Sequence, residues 1–232
     1  MKLAVMQPYI FPYLGYFQLV NLVDTFVFYD DVNYIKKGWI NRNQTLGNGQ
    51  AQLFTIPLEN ASQNRLIKDI ELLEDPKWKL KFLKGLEQSY KKAPFFNEGF
   101  ALVKETFEAD AKTISELCQL SIIRVAEYLE LDTKFKVSSD QYHNQDLKAQ
   151  IRILDICKKE GADHYINPIG GQEIYDKTLF ERENIKMDFI ASEKIVYEQF
   201  DKDFVPYLSM IDCLMFLDKD QIRGELNKFK LV

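Results

Sequence analysis

Two neighbouring carboxylates, Asp30 and Asp31, close a short apolar run, and soon after them come Lys36, Lys37, Trp39, Asn41, Arg42 and Asn43. A carboxylate at a strand end can take a proton from an attacking amine or bind Mg²⁺, so Asp30 and Asp31 are the candidate catalytic pair. If the strand continues through them they point to opposite faces. Arg42 offers a planar fork and Lys36 and Lys37 point charges; with Asn41 and Asn43 these suit a diphosphate or a carboxylate. Gln7, Tyr9, Tyr16, Trp39 and Asn41 carry amides, hydroxyls and rings that can hold sugar hydroxyls and stack on an apolar sugar face. Gly15, within Phe11-Pro12-Tyr13-Leu14-Gly15-Tyr16, permits close approach of a phosphate to the backbone at a helix start. Gly170 and Gly171, bounded by Tyr165 and Tyr175, form a second candidate ligand loop, and Ser209 and Asp212 stand three apart at another helix start. Plainer readings stand beside each: two acids opening a turn, solvated cations, an ordinary Gly-Gly turn, and Ser209 as an N-cap.

The elements that must position these residues alternate. Lys2–Met6 and Thr25–Tyr29 read as buried strands flanking a helix that starts near Phe17. Gln44–Ile56, interrupted by Gly47-Asn48-Gly49, reads as a hairpin, and Ile67–Leu72 as a further strand. Three helices are expected over about 76–131: one carrying Trp78, Phe82, Leu86 and Tyr90 on one face, one from Pro94, and one opened by the capping box Thr113/Glu116. Strands at Lys134–Val137, His164–Ile166 and Lys186–Ile190 then alternate with helices at Asp146–Lys159, Tyr175–Asn184 and within Ser209–Asn227. This rhythm predicts an α/β fold with a mainly parallel, Rossmann-like sheet: one domain over 1–232 with a helical insertion at about 76–131. Ligand crevices in such sheets lie at the carboxyl ends of the strands, where the candidates cluster.

Composition narrows the classes. A net charge of -5 over 232 residues argues against DNA as a partner, and 46% hydrophobic content is ample for a core. No run of 18 apolar residues predicts a membrane span. Cys118, Cys157 and Cys213 are scattered in apolar contexts, as in a reduced cytoplasmic protein. No zinc spacing, Walker loop or complete GxGxxG fingerprint is present, and no metal site is assigned.

Gln7-Pro8-Tyr9, Phe11–Phe17, Asp24, Tyr29–Val32 and Lys36–Asn43 resemble the signature of the WbqC-like family, as do Tyr165–Tyr175, Phe180, Tyr197-Glu198-Gln199 and Phe204–Met215. Many relatives carry Trp where this chain has Tyr13. Members occur in gene clusters for bacterial surface polysaccharides, especially O-antigen. The resemblance therefore implies a glycine (or small acyl) transferase acting on an amino-sugar intermediate in O-antigen or lipopolysaccharide biosynthesis. A free carboxyl is unreactive towards an amine, so the donor must be an adenylate made with ATP and Mg²⁺, a phosphate, a thioester or an aminoacyl-tRNA. The outline of the opening strand, loop and helix is similar to nucleotidyl-transfer enzymes with a His-x-Gly-His loop, but both His positions are aromatic here. Two alternatives stay open: a non-catalytic accessory protein that binds a nucleotide sugar or glycan, and a glycosyltransferase-like enzyme.

Overall fold

A computed structural model describes residues 1–200 and 203–232. The chain begins with β1 (Lys2–Met6), α1 (Leu14–Leu22) and β2 (Thr25–Phe28), followed by a hairpin of β3 (Arg42–Gly47) and β4 (Gln50–Thr55). Three helices come next: α2 (Pro76–Tyr90), α3 (Phe96–Glu108) and α4 (Ile114–Tyr128). The order is then β5 (Lys134–Lys136), α5 (Ala149–Glu160), β6 (His164–Pro168), α6 (Lys177–Glu181), β7 (Lys186–Ser192), α7 (Met210–Phe216), α8 (Lys219–Glu225) and β8 (Phe229–Leu231). Six strands form one sheet in the order β5-β2-β1-β6-β7-β8, parallel except for β8. The fold is α/β with a Rossmann-like sheet whose strand order reverses direction at the β1/β6 boundary.

Alternation along the strands feeds two apolar layers. Ala4, Phe26, Phe28, Ile166 and Ile190 join α1, α4 and α7 on one face, while Leu3, Val5, Val27, Tyr165, Met187 and Phe189 pack against α5 and α6 on the other. Burial on both faces explains why β1 and β2 read as continuous apolar runs. Helices α2 to α4 lie in sequence between the hairpin and β5 and add Tyr90, Val103, Phe107 and Ile122 to the first layer. Asp75 caps α2 ahead of Pro76, and Thr113 and Glu116 make the expected reciprocal cap on α4. The hairpin turns at Asn48 and Gly49, both at positive φ, the geometry of a two-residue primed turn.

Several boundaries differ from expectation. Ile67–Asp69 is a 3₁₀ turn, because its amides serve separate segments: Ile67 donates to Val32 and Lys68 to Asp30. Asp176 caps at Thr178, so α6 starts later than Tyr175. The last helix is two, divided where Leu217 is extended and Asp218 with Gln221 caps a new start. The edge strand β8, unforeseen in so short a terminal segment, pairs antiparallel with Ile190–Ser192.

Candidate functional site

The loop between β1 and α1 is held from three sides. Phe11 N–H donates to Ser121 Oγ of α4 (3.0 Å), Asn43 Nδ2 donates to the carbonyls of Ile10 (2.9 Å) and Phe11 (2.7 Å), and Ser209 Oγ donates to Phe11 O (2.7 Å). Phe11 itself sits at φ 39, a left-handed conformation that a buried aromatic adopts only when its surroundings over-determine it. Tyr16 donates its hydroxyl to Gln7 O (2.9 Å), and its ring lies 5.8 Å from that of Tyr9. Gly15 brings α1 against the end of β7: a Cβ there would run into the Tyr13 ring and Ser192 Oγ, the latter at 2.7 Å.

This pinned loop divides two adjoining clefts. The smaller, about 190 Å³, is lined by Tyr9, Pro12, Tyr13, Trp39, Asn43 and Tyr207. The larger, about 650 Å³, shares Tyr13 and Tyr207 and extends over Leu14, Gly15 and the stretch from Ser192, the last residue of β7, to Tyr197. Tyr207 is 84% exposed and Trp39 48% exposed, a large apolar surface left open to solvent. Arg42 lies over the Trp39 ring at 5.8 Å and donates to the carbonyls of Gly38 and Lys37. Lys36 and Lys37 are exposed, and among the described residues neither they nor Arg42 has a carboxylate partner. Aromatic walls with the Arg42 guanidinium over one of them suit a flat or sugar-like ligand.

The other candidates fall elsewhere. Asp30 and Asp31 are 3% and 4% exposed and diverge to the two faces of the sheet. Asp30 accepts from Ser115 (2.8 Å) and Gln119 (3.4 Å) of α4 and from Ser138 (2.6 Å). Burial pushes its carboxyl above the usual range, opposed by the Ser138 and Ser115 hydroxyls. Asp31 pairs with the buried Arg152 of α5 at 2.5 Å and also accepts from Ser139 and Gln145. Neither acid lines either cleft. Asn41 is likewise committed, accepting from Tyr34 and donating to Ile56 O. Gly170, Gly171 and Tyr175 belong to the β6 loop, where Asn167 donates to Tyr165 (2.8 Å) and Tyr175 closes on Tyr165 (3.4 Å between hydroxyls).

Ser209 caps α7 at Ile211 N–H as well as pinning the loop. Asp212 is fully buried one layer behind the larger cleft, accepting from Tyr90 (2.8 Å), Tyr197 (2.7 Å) and Gln199 (2.6 Å). Among the described residues, no group of three or more His, Cys, Asp or Glu side chains is placed to hold a metal ion, and no helix is long and apolar enough to cross a membrane.

Arg152, Tyr197 and Tyr207 were not among the residues expected at the site, although Tyr197 and Tyr207 fall within segments that resemble the family signature. Arg152 shared the buried stripe of α5 with Ile153 and Ile156, and a cation on an apolar stripe signals a buried acid partner. Tyr207, at φ 58, was marked only by its place within the signature-like stretch Phe204–Met215.

The chain is an α/β protein with a mainly parallel sheet and two aromatic-lined clefts beside the β1–α1 loop. The chain belongs to the WbqC-like protein family, whose model matches residues 7–224. It is 27% identical over 216 residues to "Uncharacterized protein Rv1507c" of Mycobacterium tuberculosis (strain ATCC 25618 / H37Rv), covering 92% of each chain. No solved structure matches it.

Proposed function

We propose that this protein transfers a glycyl or similarly small acyl group to the amine of an amino-sugar nucleotide, in the cytoplasm, during synthesis of bacterial O-antigen or a related surface polysaccharide. One observation carries the reading: the double cleft has aromatic walls from Tyr9, Tyr13, Trp39 and Tyr207, Arg42 lies over the Trp39 ring, and Lys36 and Lys37 stand exposed in the same segment of chain. A nucleotide sugar combines those same needs, with a base or sugar face for stacking and a diphosphate for cations. In this reading the diphosphate meets Lys36, Lys37 and Arg42, and the acceptor amine enters the larger cleft beside Gly15. Gln7, whose side chain forms no hydrogen bond within the described structure, is free to meet a sugar hydroxyl. Asp30, Asp31, Asn41, Asn43 and Ser209 hold the frame, and the β6 loop with Gly170, Gly171 and Tyr175 borders it.

The test supplies an amino-sugar nucleotide with glycine, ATP and Mg²⁺, or with glycyl-tRNA or a glycyl thioester, and follows acceptor mass. Gain of one glycyl unit supports the proposal; sugar transfer instead marks a glycosyltransferase. The absence of Asp30 and Asp31 from the clefts favours one second reading, a non-catalytic protein that binds and delivers the nucleotide sugar. It predicts tight binding and no mass change with any donor.

A further inference from the structure

Behind the larger cleft lies a carboxylate that the proposed reaction has not used. Asp212 is buried on α7 and accepts three hydrogen bonds from neutral donors, and no Lys or Arg pairs with it among the described residues. Taking a carboxylate out of water without a cation is costly, and strongly desolvated carboxylates cluster at functional sites. One of its donors, Tyr197, is a wall of the cleft, as is Cys213, whose Sγ lies 3.4 Å from Tyr197 Oη. The Tyr197 hydroxyl gives its proton to Asp212 at 2.7 Å and has a lone pair left beyond the Cys213 contact.

We infer that Tyr197 is a catalytic residue that accepts the proton of the acceptor amine and relays its own to Asp212, which acts as the terminal base. The inference rests on the acyl-transfer reading. As the amine nitrogen bonds to the acyl carbon of the activated donor, the bond from that carbon to the leaving group breaks and the leaving group takes the electron pair. The nitrogen's proton moves to Tyr197 Oη while the phenolic proton moves to Asp212 Oδ2, leaving Asp212 neutral and Tyr197 unchanged.

The surroundings suit this passage. Burial raises the Asp212 carboxyl above the ordinary range, against the three hydrogen bonds, which makes it a better base than a solvated aspartate. Burial also holds Tyr197 far above the usual phenol value, so it passes a proton rather than becoming a phenolate. The titratable neighbours are Tyr90 of α2, Cys213 of α7 and Glu225 of α8. The Cys213 thiol is pushed up to about 12 by burial and does not compete as a base.

The experiment measures glycyl transfer to the amino-sugar nucleotide across pH for the wild type, Tyr197→Phe and Asp212→Asn. Tyr197→Phe keeps the ring contact with Phe204 at 5.0 Å, so it serves where Asp212→Asn fails to fold. The relay predicts a kcat about 10²–10³-fold lower in Tyr197→Phe with KM within about threefold, and a changed acid limb of the pH–rate profile. Mere loosening of packing leaves that limb in place. A Tyr197→Phe enzyme that matches the wild type across pH overturns the relay while acyl transfer stands. A wild type that transfers glycyl from no donor overturns acyl transfer, and the relay with it.

Discussion

Replacing Arg152 by Met removes the cation that Asp31 faces inside the protein. Both side chains are nearly inaccessible, and after the change Asp31 keeps only Ser139 and Gln145 as donors. Removing one partner of a buried ion pair costs about 3–5 kcal/mol, because the remaining charge stays out of water without compensation. At about 2–4 °C per kcal/mol for a chain of this size, Tm should fall by roughly 6–20 °C. Urea unfolding of the wild type, Arg152→Met, Asp31→Asn and the double variant at pH 7 measures this directly. The double variant should cost less than the sum of the singles by about 1–3 kcal/mol, because it strands neither charge. A loss below about 1 kcal/mol for Arg152→Met, or strict additivity in the double, refutes the view that Asp31 belongs to the frame.

Other outcomes follow from single contacts. Arg42→Ala and Trp39→Ala should each weaken binding of an amino-sugar nucleotide about tenfold by calorimetry, with Arg42→Lys failing to restore it because a point charge cannot stack; unchanged affinity removes the smaller cleft from the site. Gly99→Ala should destabilise by about 1–3 kcal/mol in spite of better helix propensity, because its Cβ would stand 2.5 Å from Leu214 O. Gly85→Ala on α2, where the new methyl meets nothing within 4 Å, should instead stabilise by roughly 0.5–1 kcal/mol; chemical unfolding that reverses this order contradicts the packing of α3 on α7. Burial raises the Asp212 carboxyl in the folded state, so that state binds its proton more readily than the unfolded chain. The wild type should therefore gain stability relative to Asp212→Asn as pH falls from neutral through the raised value, and lose that gain as pH rises again. A stability difference constant between pH 4 and 7 speaks against a raised Asp212.

Periodicity made most of this architecture readable. β1 and β2 announce themselves as apolar runs because both faces are covered, and the Thr113/Glu116 box marks a helix start through purely local hydrogen bonding, whereas the helix expected from Pro94 starts at Phe96. Elements fixed by distant partners were harder to read. Ile67–Asp69 has strand-like composition, yet its amides are claimed by the Asp30 and Val32 carbonyls, a contact with no local signature. The same divide runs through the site. Tyr9, Trp39 and Arg42 stood out in the sequence because rings, amides and cations are dense in the opening segment, and Tyr9 and Trp39 line the smaller cleft. The hydrogen bonds and ion pair of Asp30 and Asp31 come from Ser115 of α4 and Arg152 of α5, much later in the chain, and have no local signature. Residues from after β7, Tyr197 and Tyr207, reach the cleft through tertiary placement alone.

The central claim is that the ligand occupies the cleft between the β1 loop and the segment after β7. Side-chain NMR of the aromatic groups, recorded while an amino-sugar nucleotide is titrated into the full chain, tests it most directly. The account predicts saturable shifts at Tyr9, Tyr13, Trp39 and Tyr207, with Tyr175 and Tyr29 unmoved. Shifts confined to Tyr29 and Tyr175, beside Arg152 and the β6 loop, would place the ligand on the other side of the strand ends and contradict it.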